Sequence, residues 1–279
     1  MGTLINGINL GNGVNLQPSY YNNGNVNFGW NLMKQQTAIQ SVRIEIEPGH
    51  EVQAASWIKQ AQARNLQVIA TYHKSTVLGT DDAGELLSAA NWWKTNYQKL
   101  GGNFTVNLMN EWGSHNITAA AYAGAYNQAI AVIREVYNGP IIIDLPGWGQ
   151  DAHTAFVAVT SAQPAITDAG IILSAHIYPG SWNSYTGQSL STGDLDELQS
   201  AGFPCIVGEF GTAGGGTGDW SGCVAHAIAN GWTAMGWCWN GDGNGFNMVS
   251  PAWSDEPGAS VFSKNAYFDT IYSLISGNA

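Results

Sequence analysis

The chain has 279 residues, of which 44% are hydrophobic and 10% are charged, so it is long enough to bury a substantial core. Its 20 acidic residues against nine basic ones give a formal net charge of -11, which disfavours nucleic acid and anionic membranes as partners. No run of about eighteen apolar residues predicts a membrane span, and residues 1–13 lack the layout of a signal peptide.

Short runs of β-branched and apolar residues alternate along the chain with longer stretches of helical periodicity. The predicted strands are residues 4–10, 41–47, 67–73, 104–111, 140–146, 171–178, 204–210 and 233–239. The predicted helices are residues 51–65, 83–100, 118–137, 194–202, 221–231 and 260–275. This α/β pattern predicts a single (β/α)8 TIM barrel domain over residues 1–279. An open doubly wound sheet is the alternative, but no G-x-G-x-x-G follows the first strand to support it.

Functional residues of such a barrel gather at the carboxyl ends of its strands. The ionisable, amide and aromatic residues predicted at those ends are Arg43, His73, Asn110, Glu111, Trp112, Trp148, Gln150, His176, Tyr178, Trp182, Glu209 and Trp239. Each alone would be an ordinary core or rim residue. We interpret Glu45 and Glu47 as ordinary rim or ion-pair residues beside Arg43. Their shared location predicts a catalytic site.

Two carboxylates that flank one bond can hydrolyse a glycoside, one as general acid and base and the other as nucleophile. Glu111 and Glu209 come from opposite sides of the predicted barrel mouth. We assign the cation of Arg43 and a hydrogen bond from Tyr178 to Glu209, which keeps that carboxylate ionised as the nucleophile. Glu111 is then the acid/base, and Asn110 is available to bond the 2-hydroxyl of the sugar.

The aromatic content predicts a neutral sugar ligand, because 12 Trp and 11 Tyr exceed what a core needs and flat rings bind sugars. Trp148, Trp182 and Trp239 are expected to pave an open cleft, with Trp112 near its mouth. No strand carries a His-x-His or comparable set, so we expect no metal and no cofactor, against the alternative of a metal-dependent barrel hydrolase.

The three cysteines, Cys205, Cys223 and Cys238, lack metal-ligand spacing and allow one disulfide at most. Buried free thiols are the expectation, and a link between Cys223 and Cys238 is the alternative.

With these residues identified, the sequence resembles a retaining β-glycanase of glycoside hydrolase family 5, and within it an endo-β-1,4-mannanase. The resemblance covers nearly the whole chain and is carried by the segments VRI, TYH, NEW, HIY, VGEFG and GWCWNG. It implies that Arg43, His73, His176 and Tyr178 belong to the site, with Glu111 as acid/base, Glu209 as nucleophile and Trp239 as the platform under the sugar. The segments NEW and DLPGWGQD resemble the mannanase branch, whereas Lys74 departs from the family pattern after the histidine.

The implied partner is a neutral plant-type polysaccharide, mannan, and its oligosaccharides. An endo-β-1,4-glucanase or related hemicellulase remains an alternative, because mannosyl and glucosyl units differ only in the orientation of the 2-hydroxyl. A non-catalytic polysaccharide-binding barrel is a further alternative, against which the presence of both carboxylates counts. Since the substrate is a polymer, we expect an extracellular, secreted monomer whose signal peptide is absent from this chain.

Overall fold

The structure, a computed structural model, describes residues 3–5 and 8–277. Within these residues, eight parallel strands close a barrel in which each strand pairs with its neighbours in chain order. The barrel strands are β1 Gly13–Leu16, β2 Ser41–Ile46, β3 Gln67–Tyr72, β4 Thr105–Asn107, β5 Ile141–Asp144, β6 Ile171–Ile177, β7 Cys205–Phe210 and β8 Thr233–Asn240. The (β/α)8 barrel prediction is therefore confirmed.

Helices surround the barrel in the described part of the chain. They are α1 Trp30–Lys34, α2 Glu51–Gln62, α3 Ala83–Asn96, α4 Ala119–Arg134, the single turn α5 Pro146–Gly149, α6 Ala152–Thr160, α7 Thr192–Ser200, α8 Trp220–Ala229 and α9 Ala266–Ser276. The sequence did not predict α1, α5 or α6. No helix within residues 3–5 and 8–277 combines the length and the apolar character needed to cross a membrane.

The predicted first strand, residues 4–10, is wrong. Thr3–Ile5 and Ile8–Leu10 pair antiparallel outside the barrel, while residues 6–7 lie outside the described residues. The first barrel strand begins instead at Gly13, where a Cβ would lie 2.0 Å from the backbone oxygen of Ser41. Glycine at that position permits the close approach of two strands, but in the sequence it is typical of a turn.

Three short antiparallel pairs lie outside the barrel in the described chain: the hairpin of Thr3–Ile5 and Ile8–Leu10, Trp182–Asn183 with Gln188–Ser189, and Val249–Ser250 with Ser263–Lys264. The three cysteines are buried and none of them forms a disulfide in the described part of the chain, which confirms the expectation of buried thiols.

Alternation along the barrel strands separates the apolar core from the polar interior. On β2, Val42 and Ile44 pack in the large cluster between strands and helices, whereas the buried Arg43 lies between them in sequence. A second cluster fills the barrel near the amino ends of its strands and consists of Leu10, Ile69, Ile142, Ile172, Ile206 and Met235. Polar side chains occupy the interior beyond this cluster, towards the carboxyl ends of the strands.

Candidate active site

A cavity of about 490 Å³ opens at the carboxyl ends of the barrel strands. Its lining includes both Glu111 and Glu209, together with Tyr20, His73 and Trp237. A larger cavity of about 710 Å³ lies between residues 22–32 and residues 257–262, but no histidine or carboxylate lines it. The smaller cavity is therefore the one with residues capable of acid–base chemistry.

Glu209 belongs to β7, whose pairing with β6 shifts register between Val207 and Glu209, a bulge of the kind that redirects a side chain. Arg43 NH1 donates to its Oε1 over 2.8 Å, and the Tyr178 hydroxyl donates to its Oε2 over 2.8 Å. Burial alone would raise the pKa of Glu209, but the positive charges of His176 and Arg43 and the Tyr178 hydrogen bond lower it. Both contacts expected from the sequence are present.

Glu111 follows β4 in a left-handed conformation, with φ of +49°. Its N–H donates to Asp144 Oδ2 over 3.0 Å, and its carbonyl accepts from Gly79 N–H over 2.7 Å. His176 Nδ1 lies 2.9 Å from its Oε1. Burial raises the pKa of Glu111 and the charge of Glu209 adds to this, which together outweigh the opposing His176 hydrogen bond. The two carboxyl groups, with oxygens within 4.8 Å of each other, thus differ in the direction of their pKa shifts.

Arg43 is fully buried behind Glu209, so it does not contact a ligand in the cavity. The sequence places Arg43 in the site as the cation beside Glu209, and its guanidinium is occupied by neighbouring side chains in agreement with that role. The acceptors of its N–H groups are Asn15, Glu45, Asn107, Asn110 and Glu209. Burial also raises the pKa of Glu45 to about 7, and this residue is a buried ion-pair partner of Arg43 rather than a rim charge.

His176, which the resemblance places in the site, is also fully buried and contacts Glu111 from outside the cavity lining. Its ring packs against glycines: a Cβ at Gly149 would lie 2.6 Å from its Cγ, and one at Gly208 would lie 3.1 Å from its Nε2. Burial would lower the pKa of His176, but the charges of Glu209 and Asp144 raise it well above the usual value. His176 therefore supports Glu111 as a buried cation.

Two aromatic residues expected at the cleft, Trp112 near its mouth and Trp239 under the sugar, are in the core of this structure. Trp112 is fully buried, donates its indole N–H to the carbonyl of Asp82 over 3.0 Å, and packs against Tyr122 and Tyr126. Trp239 is likewise fully buried and donates to the carbonyl of Phe28 over 2.8 Å. Neither ring lines the cavity.

Trp237, two residues before Trp239, lines the cavity instead. The pairing of β8 with β1 shifts register between Gly236 and Asn240, which breaks the alternation that sequence reasoning assumes. Asp242 accepts the indole N–H of Trp237 over 2.9 Å and so fixes the ring. The resemblance predicts that the second tryptophan of GWCWNG, Trp239, lies under the sugar. In the structure the first one, Trp237, borders the cavity.

The remaining predicted residues lie at the cavity or beyond its lining. His73 and Asn110 line the cavity. Tyr20 also lines it and places its hydroxyl 2.6 Å from His73 Nδ1. Tyr20 was not predicted, because the first barrel strand, which it follows, was assigned to the wrong residues. Trp148 and Trp182 are 37% and 43% exposed beyond the cavity lining. These two rings are available to a ligand longer than the cavity.

Within residues 3–5 and 8–277, one group of histidine and carboxylate side chains is compact enough to suggest a metal: Glu111, His176 and Glu209. The guanidinium of Arg43 lies 2.8 Å from Glu209, and a fixed cation opposes the binding of another. The three groups are also in contact with one another, so we assign them to acid–base chemistry.

Comparison with known proteins identifies the family of this chain. The family model for cellulase (glycosyl hydrolase family 5) matches residues 26–243, which is more than half of the chain. The chain belongs to glycosyl hydrolase family 5. A curated relative of this family-5 chain, a mannan endo-1,4-beta-mannosidase from Cellvibrio japonicus (strain Ueda107), is 25% identical over 228 residues, which cover 76% of this chain and 51% of the relative. The chain spans about half the length of the curated relatives it matches.

Solved structures share the family-5 barrel. The catalytic domain of a mannanase from Streptomyces sp. SirexAA-E has a TM-score of 0.76 at 22% identity, covering 97% of this chain and 87% of that one. The catalytic domain of an endoglucanase from Thermobifida fusca has a TM-score of 0.75 at 18% identity, covering 97% of this chain and 93% of that one. At these identities the likeness concerns the fold.

Proposed function

We propose that this family-5 chain is an endo-acting β-1,4-mannanase that cleaves internal bonds of mannan, galactomannan or glucomannan with retention of configuration. The observation that carries the proposal is the pair of carboxyl groups in the cavity, with oxygens within 4.8 Å of each other and pKa values shifted in opposite directions. Retaining glycosidases use two carboxyl groups about 5 to 5.5 Å apart, whereas inverting enzymes keep them about 6.5 to 9.5 Å apart.

In the first step, Glu209 attacks the anomeric carbon and forms a glycosyl ester while the bond to the leaving oxygen breaks. Glu111 donates its proton to that oxygen. The raised pKa of Glu111 keeps the proton available, and the lowered pKa of Glu209 keeps the nucleophile ionised. With His176 bonded to Oε1 of Glu111, the other oxygen is left to carry the donated proton.

In the second step, Glu111 acts as a base and removes a proton from water, whose oxygen attacks the same carbon and releases Glu209. Arg43 and Tyr178 stabilise the carboxylate that leaves, because both already donate to its two oxygens. Asn110, whose Oδ1 is bonded to Arg43, has its NH2 group left to donate to the sugar 2-hydroxyl. Trp237 supplies an apolar face for the ring at the cleaved bond.

Support for mannan comes from the relatives, because two curated relatives, at 25% and 28% identity, are mannan endo-1,4-beta-mannosidases. An endoglucanase shares the fold, so an endo-β-1,4-glucanase using the same carboxylates is the second candidate. The exposed Trp148 and Trp182 suit a polymer that extends beyond the cavity. We further propose that the protein acts as a monomer outside the cell, where such polymers are found.

Initial rates of reducing-sugar release test the substrate. Mannan, galactomannan, carboxymethylcellulose, xylan and xyloglucan are compared at equal mass, with the Glu209→Ala variant as the control for contaminating activity. We expect mannan and galactomannan to be cleaved fastest. Faster cleavage of carboxymethylcellulose would replace the mannanase proposal by the glucanase, and no cleavage of any glycan would favour a binding role.

A further inference from the structure

Asp144, the last residue of β5, is fully buried below both carboxyl groups of the site. Its Oδ2 accepts the backbone N–H of Glu111 over 3.0 Å, and its Oδ1 accepts from Asn107 Nδ2 over 3.2 Å. The same carboxylate lies 3.5 Å from Arg43 NH2 and 3.5 Å from His176 Nε2. One anion therefore touches the backbone of Glu111 and the histidine that bonds its side chain.

The contact to the backbone fixes a conformation that the chain does not prefer. A residue other than glycine is strained at positive φ and keeps that conformation only where its surroundings hold it, and Glu111 has φ of +49°. Asp144 holds the N–H of that peptide, and Gly79 holds its carbonyl. Together these bonds determine where the carboxyl group of Glu111 emerges from β4.

The contact to His176 fixes the side chain of Glu111. His176 Nδ1 lies 2.9 Å from Glu111 and its Nε2 faces Asp144, so the ring lies between the two carboxyl groups. The groups that face His176 are Glu111 from the end of β4, Asp144 from β5 and Glu209 from β7. His176 Nε2 has no closer hydrogen-bond acceptor, which leaves Asp144 as the anion that stabilises its second proton.

We propose that Asp144 is a positioning residue that aims Glu111 as a proton donor, through its backbone N–H and through a protonated His176. The inference rests on the proposed function of Glu111. The nucleophile depends far less on Asp144, because Glu209 is bonded directly by Arg43 and Tyr178. Arg43 in turn donates to Asn15, Asn107 and Glu45 as well, so its position does not depend on Asp144 alone.

The substitution Asp144→Asn preserves the shape of the side chain but removes its charge and converts one acceptor into a donor. The NH2 group would then face Arg43, His176 or the Glu111 N–H, all of which are donors. Displacement of Glu111 should weaken acid catalysis while leaving attack by Glu209 nearly intact. The matched control is Asp168→Asn, which removes a carboxylate paired with Arg134 at the surface, 2.7 Å from its Nε.

The experiment compares kcat/KM on two aryl β-glycobiosides, one with a phenol leaving group that needs protonation and one with 2,4-dinitrophenol that does not. The sugar is mannose or glucose, according to the polymer that the wild-type protein cleaves, so failure of the mannan proposal leaves the test intact. The ratio of the two values does not depend on how much of the protein is folded.

For Asp144→Asn we expect kcat/KM on the phenyl substrate to fall about 100-fold and on the dinitrophenyl substrate by less than about 10-fold. Asp168→Asn should leave the ratio unchanged. An equal fall on both substrates, or no fall on either, would overturn the positioning role.

A second readout does not require activity. Side-chain 15N spectra of labelled histidine report which nitrogens carry protons, and the chain has 6 histidines to assign. We expect His176 to keep both protons through neutral pH in the wild type and to lose one at lower pH in Asp144→Asn. An identical titration of His176 in both proteins would contradict its stabilisation by Asp144, whatever glycan the enzyme cleaves.

Discussion

The hydroxyl of Tyr178 offers a direct test of how Glu209 is kept ionised. In Tyr178→Phe, Glu209 loses the donor that lies 2.8 Å from its Oε2 but keeps Arg43 at 2.8 Å from its Oε1. A hydrogen bond to a charged group contributes about 1.5 to 3 kcal/mol, which corresponds to about 10- to 150-fold in an equilibrium constant. Because the bond lowers the pKa of Glu209, its removal raises that pKa. Fewer enzyme molecules then carry the ionised nucleophile at acidic pH.

The assay is kcat/KM as a function of pH for the wild type and Tyr178→Phe. On the acidic limb we expect the variant to fall about 10- to 150-fold below the wild type, with a smaller loss at the optimum, so that the limb moves to higher pH. The matched control is Tyr137→Phe, which removes a buried hydroxyl that donates to the carbonyl of Pro140 over 2.9 Å. It should cost about 0.5 to 1.5 kcal/mol of unfolding free energy and leave the pH profile unchanged. An acidic limb that stays in place in Tyr178→Phe, or moves to lower pH, would refute the reasoning.

Two further predictions concern the acid/base and the aromatic platform. In Glu111→Ala, azide should restore turnover of a dinitrophenyl glycoside and yield the β-glycosyl azide, because azide attacks the glycosyl ester on Glu209 from the face that Glu111 vacates. The anomeric configuration of the azide is identified by NMR. An α-azide would mean that Glu111 is the nucleophile and Glu209 the acid/base. Trp237→Ala should lower kcat/KM with the smaller loss of stability, whereas Trp239→Ala should lower the unfolding free energy by about 3 to 5 kcal/mol, since Trp239 belongs to the large hydrophobic cluster and Trp237 borders the cavity. The opposite pattern in kinetics and thermal unfolding would mean that Trp239 contacts the sugar after all.

The sequence was sufficient to predict the site residues where an apolar strand pattern is interrupted by a charged residue. Arg43 on β2, Glu111 after β4 and Glu209 on β7 were identified because charged residues interrupt strongly apolar runs. The same strand pattern also predicted the closed barrel. Patterns of this kind are local, so they can be read without knowing how the strands pair.

The features that the sequence could not predict depend on the register between barrel strands and on the close approach of backbone segments. The first barrel strand could not be predicted because it begins at Gly13, where the lack of a side chain lets the backbone of Ser41 approach closely. No residue pattern reveals this contact. The register shift in the pairing of β8 with β1 accompanies a different orientation of the two tryptophans, so that Trp237 and not Trp239 borders the cavity. Trp112 raised a similar difficulty, since an indole beside a catalytic residue can either face the ligand or fill the core. Its N–H bond to Asp82 places it in the core.

The central claim is that Glu209 forms a covalent bond with the sugar while Glu111 transfers protons. The most direct measurement is to trap that intermediate with a 2-deoxy-2-fluoro glycosyl fluoride of the preferred sugar and to locate the label by mass spectrometry of a proteolytic digest. We expect one equivalent of label on the peptide that contains Glu209, and none on the corresponding peptide of Glu209→Ala. A label on Glu111, or on any residue outside the cavity, would contradict the account.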